Sequence, residues 1–436
     1  MKTVFTPPHD LRRPFLLACS LIGLNLPPLL ATEGVGAINE NDSNTEKFRV
    51  VWVADPSTEA IVSWKQTQGA PGIVHYGKTD NQRKHHLYPN SITPHRAETV
   101  AGGQNCFARL KNLSPDTQYF FCIKDKAGVS RRLKFQTAPA TPQAFTFIAG
   151  GDSRNNRKVR TELNTIASRL KPLFIAFTGD MVSTDSDQRW DAWFDDWQHV
   201  ISDDGTIIPI IPHRGNHERQ KDSIHKVFDS PKDVYFALNI GGNLLRYYTL
   251  NSMLPANGEQ GKWLDKDLSI HTAKVTHTIA GYHHPMRPHV SKKKEGDNPY
   301  HWAPIFYRHG LTLAIESDSH CMKRTLPIKP DVNGDEGFSI ARNDPKAQVY
   351  IGEGCWGAPL RGADDAKSWT LDCDKFNGFD WIHVTPEKIE IKTIRNASTG
   401  ALKVKPIDPS EPFSTPEGLE LWQAKGGEVL TIPAKR

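Results

Sequence analysis

Five short polar clusters carry most of the chemistry this chain can offer. They are Asp152-Ser-Arg154, Gly179-Asp180, Gly215-Asn216-His217-Glu218, His283-His284-Pro285 and Asp318-Ser-His320. Each follows an apolar run that reads as a β-strand: Phe145–Ala149, Phe174–Phe177, Ile207–Ile211, Val275–Ala280 and Leu311–Glu316. Loops at the carboxyl ends of strands are where α/β folds place their sites. Holding two divalent cations close together requires anionic oxygens to offset their repulsion, and one carboxylate can bridge them. Asp180 is the expected bridge. Imidazoles suit zinc, iron or manganese. A cation so held lowers the pKa of a bound water to about 7, giving hydroxide at neutral pH, and phosphate oxygens take its open positions. The chemistry indicated is hydrolysis of a phosphate ester. Taken one at a time, these residues have plainer roles. Asp152 and Asp180 could cap the helices that follow them. Arg154 serves equally as a phosphate-binding guanidinium or a structural ion pair. Their fixed order favours metal. His284 and His289 share the loop of His283 and are candidates for substrate contact. Asp331-Val-Asn333-Gly-Asp335 hints at a calcium loop, but its sixth place lacks glycine and Arg342 stands at the twelfth, where glutamate is needed.

The elements that must position these clusters alternate. Helices are expected over Val159–Leu170 and Trp190–His199, between the first three strands. Strand–helix–strand order means βαβ units and an α/β layer structure. Later strands are expected at Leu244–Leu250, Val349–Gly352, Trp381–Thr385 and Ile389–Ile394. A Pro-rich boundary, Ala138–Pro142, precedes all of this. Ahead of it the texture is short and alternating: Arg49–Val53, Ala60–Lys65, Gly72–Gly77, Glu98–Val100, Phe107–Leu110, Gln118–Lys124 and Arg132–Gln136. That is the pattern of a small antiparallel sandwich. Leu113-Ser-Pro115-Asp-Thr117-Gln-Tyr119 reads as a tyrosine corner within it.

The chain has 436 residues, long for one domain, and a formal net charge of +5. No basic stripe stands out, which argues against nucleic-acid binding as the main role. Lys292–Lys294 sits beside Glu295 and Asp297 and reads as a solvated loop. Arg12-Arg13-x-Phe15-Leu16, followed by an apolar stretch to about Ala31, resembles a twin-arginine export signal. Residues 1–31 are therefore expected to be removed on export to the periplasm or medium, with 32–47 a linker and no membrane span left. Five cysteines remain after removal, and export permits the pairings Cys106–Cys122 and Cys355–Cys373. The tail beyond about Leu402 is Pro-rich and uninformative.

Gly-Asp-x-Arg, Gly-Asp, Gly-Asn-His-Glu, His-x-Pro and a final His in this order resemble the calcineurin-like metallophosphoesterases. The sandwich in front, with Ile61-Val-Ser-Trp64 and Val74-His-Tyr76-Gly77, resembles specifically the purple acid phosphatase group. His320-Cys-Met-Lys-Arg324 is similar to the family's His-x-x-x-Arg ending. The resemblance spans about Phe48 to Ile394. It implies an α/β four-layer sandwich over 145–397, two mixed sheets flanked by helices, behind an all-β fibronectin III-like sandwich over 48–138. A tail occupies 398–436. It implies an acid phosphatase-like phosphomonoesterase acting on a phosphorylated small molecule with one or two divalent ions, Mn, Fe, Zn, Mg or Ca. A phosphodiesterase of the same fold, on nucleotides or lipid head groups, and a non-catalytic phosphate- or sugar-binding protein stay open. Carried over residue by residue, Asp152, Asp180 and His320 hold one metal, and Asp180, Asn216 and His283 the other. His217 assists the transition state or the leaving group. Three positions depart from the family. Ser183 stands where purple acid phosphatases have a metal-binding tyrosine, so no purple colour is expected. Arg154 stands where other members have a histidine. Asp318 replaces a histidine of the last motif and can bind metal through oxygen.

Overall fold

The computed structural model describes residues 40–293, 298–396 and 401–435. The export signal expected over 1–31 and the first half of the linker lie outside the described residues, as do Glu295 and Asp297, and the linker's last residues, from Thr45, already belong to a strand. No helix among the described residues is long and apolar enough to cross a membrane.

Two large mixed sheets face each other. The first has ten strands, in spatial order 429–433, 388–395, 378–384, 145–150, 175–177, 210–212, 45–51, 60–66, 103–110 and 96–100. Phe145–Gly150, Ile175–Phe177 and Ile210–Pro212 run parallel at its centre. They are almost continuously apolar, as strands covered on both faces must be. The second sheet has seven strands, 236–240, 245–249, 277–281, 313–316, 349–352, 322–325 and 370–374. Phe147 and Ile211 of the first sheet, and Phe174 just before one of its strands, share one buried core with Tyr247, Ile279, Leu313 and Ile351 of the second. Helices Arg157–Leu170 and Asp187–Trp197 cover the outer face of the first sheet through Leu163, Ile166, Trp190, Trp193 and Trp197. Helices Glu259–His271 and Ala303–His309 cover the second through Leu264, Leu268, Ala303 and Phe306. The result is the four-layer α/β sandwich expected.

The antiparallel sandwich at the front is present, with Tyr119 as its corner: the hydroxyl accepts from the Ser114 amide at 2.9 Å. It is joined to the α/β half rather than detached from it. Thr45–Val51 pairs in parallel with Ile210–Pro212 through Val51 and Ile210, so half the sandwich extends the ten-stranded sheet. Its apolar residues, Trp52, Trp64 and Phe121 among them, merge with the central core. The C-terminal stretch also has a place. Val429–Pro433 is the edge strand of the same sheet, and Ala401, Val404 and Ile407 pack against the first helix layer.

The expected disulfides are absent: all five described cysteines are free. The period of a strand explains the first pair. Cys106, Ala108 and Leu110 face the sandwich core, whereas Cys122 lies between Phe121 and Ile123, which face that core, and so points to the opposite surface. Cys355 packs beside Phe376 and Trp422, while the Cys373 thiol turns to the Ala363 carbonyl at 3.8 Å.

Candidate metal centre

The helix N-caps are Asn156 and Ser186, each accepting from a backbone amide of its helix. Asp152 and Asp180 are thereby released from capping, and their carboxylates turn to a common centre. Asp152, Asp180, His283 and Asp318 each present one ligand atom within 4.8 Å of all the others, and all four are buried. The backbone is forced to achieve this. Asp152, Asp180, Asp318 and His320 all have positive φ, 59°, 54°, 69° and 61°. Such residues cost on the order of 1–3 kcal/mol each when held by their surroundings, and they cluster at functional sites. Gly215 is required by close approach, since a Cβ there would meet the Asp180 amide and Oδ1 at 2.3 Å. Gly354 likewise leaves room for Asp152 Oδ2, which a Cβ would meet at 1.8 Å.

Three histidines are aimed by one device. Nδ1 of His283 lies 2.9 Å from the Thr178 carbonyl, Nδ1 of His217 2.7 Å from that of Ser183, and Nδ1 of His320 2.8 Å from that of Pro359. A carbonyl can only accept, so each Nδ1 carries a proton and each ring turns its Nε2 atom into the site. His283 Nε2 then faces Asn216 Oδ1 at 3.0 Å, Asp180 Oδ1 at 3.4 Å and Asp318 Oδ1 at 3.6 Å. The Asn216 oxygen sits among acceptors only; turned over, its NH2 would donate to both Asp180 oxygens at 3.2 and 3.3 Å. Asp152 Oδ1, 3.1 Å from His320 Nε2, has no hydrogen-bond partner among the described residues. Acceptors crowded around one point are what a divalent cation needs, and this donor set fits one. Burial lowers the His283 pKa, but Asp180, Asp152 and Asp318 outweigh it and hold it well above the usual imidazole range. Burial pushes the Asp180 carboxyl up. Burial would raise Asp152 too, but His283 and His320 bring it below its ordinary value.

The other side of the centre is filled. The Arg154 guanidinium donates from Nη1 to His217 Nε2 and from Nη2 to His320 Nε2 at 3.3 Å, with Asp180 Oδ2 3.6 Å from Nη1. All eight residues expected at the site therefore come together. Asn216 is the exposed one, and His217 is half-buried. His284 lies at the rim with its ring held down to about 4 by burial and by His283. It joins His283 and Asp318 in a second set of close donor atoms. His289 turns away, buried between Glu353 and Thr370 at 3.0 and 2.8 Å, so substrate contact is excluded for it. Arg324 is likewise buried elsewhere, against Thr393 and Trp422.

Several residues here have structural roles that their place in the sequence does not suggest. Glu218 accepts the amides of Gly215, Asp180, Met181 and Val182 at 2.8, 2.9, 2.9 and 3.3 Å, stapling two ligand loops together. Burial and the neighbouring Asp180 push its carboxyl up to about 8, against the pull of those amides. Lys293, expected in a solvated loop, instead reaches Asp318 Oδ2. Arg361 Nη1 donates to the Asp318 carbonyl at 2.8 Å. Lys323 joins Glu316 and Glu353 behind the site, with 2.7 Å to the latter.

Residues 149–322 match the calcineurin-like phosphoesterase family, and residues 45–137 match the N-terminal domain of purple acid phosphatases. The family match takes in every loop that carries Asp152, Asp180, Asn216, His283, Asp318 and His320. Two uncharacterised proteins from strains of Mycobacterium tuberculosis are 22% identical over 326 residues. The match covers 63% of this chain and about 60% of the length of those curated relatives. The fold is shared with the purple acid phosphatase of yellow lupin seeds at 14% identity and a TM-score of 0.66, covering 81% of this chain and 72% of that one. PhoD shares it at 10% identity and 0.63, covering 91% and 94%.

Proposed function

We propose that the protein is an exported, metal-dependent hydrolase of phosphate esters, acting first on phosphomonoesters of small molecules. The observation that carries this is the meeting of acceptor atoms from Asp152, Asp180, Asn216, His283 and Asp318 at the joint ends of two sheets. These five side chains would hold a divalent cation, with His320 alongside. Such a cation lowers the pKa of water and offsets charge developing on phosphoryl oxygens. Arg154 binds a phosphoryl oxygen through its planar fork. His217, its Nδ1 fixed on Ser183, stands beside that guanidinium where the leaving group departs. Export is supported by Arg12, Arg13 and the apolar stretch after them.

The test is hydrolysis of an aryl phosphate with added manganese, with and without a chelator, beside a bis-aryl phosphate. Turnover of the monoester that the chelator abolishes is expected. Asp180→Asn is expected to lose more activity than any other single ligand change, because one oxygen of Asp180 faces each half of the site. Wild-type turnover in Asp180→Asn overturns the metal mechanism. Preference for the diester moves the protein to phosphodiesterases, and no turnover on either leaves a binding protein.

A further inference from the structure

We infer, resting on the reading of this site as a metal centre, that it takes one divalent cation rather than two. The Arg154 guanidinium takes the place of the other.

The case rests on where lone pairs go. A second cation on the Arg154 side would need the Nε2 atom of His320 and the Oδ2 atom of Asp180. His320 Nε2 accepts from Arg154 Nη2 at 3.3 Å, and Asp180 Oδ2 lies 3.6 Å from Nη1. His217 Nε2 accepts from Nη1 as well. The N–H groups of one planar cation thus answer the acceptors that a metal would otherwise fill. On the opposite side Asp180 Oδ1 faces His283 Nε2 at 3.4 Å, and Asn216 Oδ1 sees acceptors only. Asp180 bridges the two halves, one oxygen to each, but the halves offer different things.

Arg154 is also built in. Its amide donates to the Asp180 carbonyl at 3.4 Å, and its own carbonyl accepts from Arg160 Nη1 at 3.1 Å. Arg160 is in turn anchored on buried Asp196. The Arg154 side chain is only 10% exposed. A dication entering beside it would meet a like charge in a nearly dry pocket, where repulsion is weakly screened. The guanidinium cannot lose its charge to make room, because arginine stays protonated in proteins. The centre is therefore one exchangeable cation paired with one permanent cation, and a phosphoryl group spans them.

The experiment uses the whole folded protein. Metal is stripped with chelator, excess manganese is added, unbound metal is removed by desalting, and manganese per chain is measured by mass spectrometry. One ion per chain is expected. Two ions per chain overturn the inference while leaving the metal-dependent reading intact. None overturns that reading and the inference with it. Electron paramagnetic resonance of the same sample is expected to show the six-line signal of an isolated Mn(II) ion, and a coupled pair spectrum again overturns the inference. Arg154→His, which replaces the guanidinium by a metal-binding ring, is expected to raise the content twofold, to two ions. A folded Arg154→His protein that still holds one ion shows that Arg154 is not what excludes the second. Should that variant fail to fold, the wild-type content and spectrum decide alone.

Discussion

Loops of the ten-stranded sheet and loops of the seven-stranded sheet meet at one centre, but they are braced by different means. On the first side the bracing is local and made of backbone amides. Glu218, two residues from Asn216, gathers the amides of Gly215, Asp180, Met181 and Val182. On the second side the bracing is a buried charge network. Lys323 bonds Glu316 and Glu353. Glu316 accepts from Tyr282 and from the Met286 amide at 2.7 and 2.9 Å, and Glu353 accepts from His289 and Cys321. This network ties the loop of His283 to the loop of Asp318 and His320, and to the strand end beside Gly354 that makes room for Asp152. The difference teaches how each half can fail. An amide brace degrades by one hydrogen bond at a time, whereas a buried ion network stripped of Lys323 loses the cation shared by two carboxylates that water does not reach.

The largest expected effect arises from that contrast. Lys323→Met removes the cation shared by Glu316 and Glu353, and breaking a buried pair this way costs about 3–5 kcal/mol. Denaturant unfolding of both proteins measures it, and an unchanged midpoint would mean that the network braces nothing. The pH dependence sharpens the point. Burial would raise the Glu353 carboxyl, but Lys323 and His289 hold it far below its usual value. A carboxyl depressed in the fold contributes stability above its unfolded pKa, and that contribution is lost as pH falls toward the folded value. Without Lys323 that contribution is missing at neutral pH, so the stability gap between wild type and Lys323→Met should narrow as pH falls below the usual carboxylate range. A smaller effect is expected on the other side. In Glu218→Gln one amide oxygen replaces one carboxylate oxygen, but its NH2 confronts two backbone amides that need an acceptor. Unsatisfied buried groups cost about 1–3 kcal/mol each. Manganese affinity, measured by calorimetry, should weaken together with stability, because the amides released belong to the Asp180 and Asn216 loops. Full affinity in a destabilised Glu218→Gln protein would separate the brace from the site.

The same contrast explains what the sequence made legible. Gly-Asp, Gly-Asn-His-Glu and His-x-Pro are compact, because each ligand and its local support lie within a few residues. Their order and their strands could be read directly, and so could the four-layer fold. The second side has no such compactness. Lys323 and Glu316 sit in strands, and Glu353 just past the end of one, where charge is ordinarily turned outward, and nothing in their spacing shows that they meet. Lys293 was hidden for the opposite reason: three lysines beside acidic residues resemble any exposed loop. His289 looked like a site residue because it shares a loop with His283, yet only the fold shows it turning toward Glu353. The union of the front sandwich with the parallel strands of the α/β half rests on Val51 pairing with Ile210, two residues far apart in sequence whose local patterns are ordinary strand patterns. Arg154 was visible as a departure. That its guanidinium would lie on His217 and His320 was not.

The smallest expected effect is no effect, and it tests the front sandwich against the α/β half. Both contain cysteines that spacing and export made attractive as disulfides. A bridge closing a loop the size of that between Cys106 and Cys122 would add about 3 kcal/mol on the chain-entropy account, so reduction would lower stability measurably. In the structure that bridge is precluded by strand geometry, since the two side chains stand on opposite faces. Burial pushes both thiols up to about 12, which keeps them as inert neutral groups. The protein, purified without reductant, should therefore unfold at the same denaturant concentration with and without reductant. All five described cysteines should react with a thiol reagent once it is unfolded, and Cys106 and Cys122 should resist the reagent before that. A reductant-dependent fall in stability, with only three thiols reacting in the unfolded chain, would show that one pair does form a bridge, and peptide mapping would place it in the sandwich or beside Cys355.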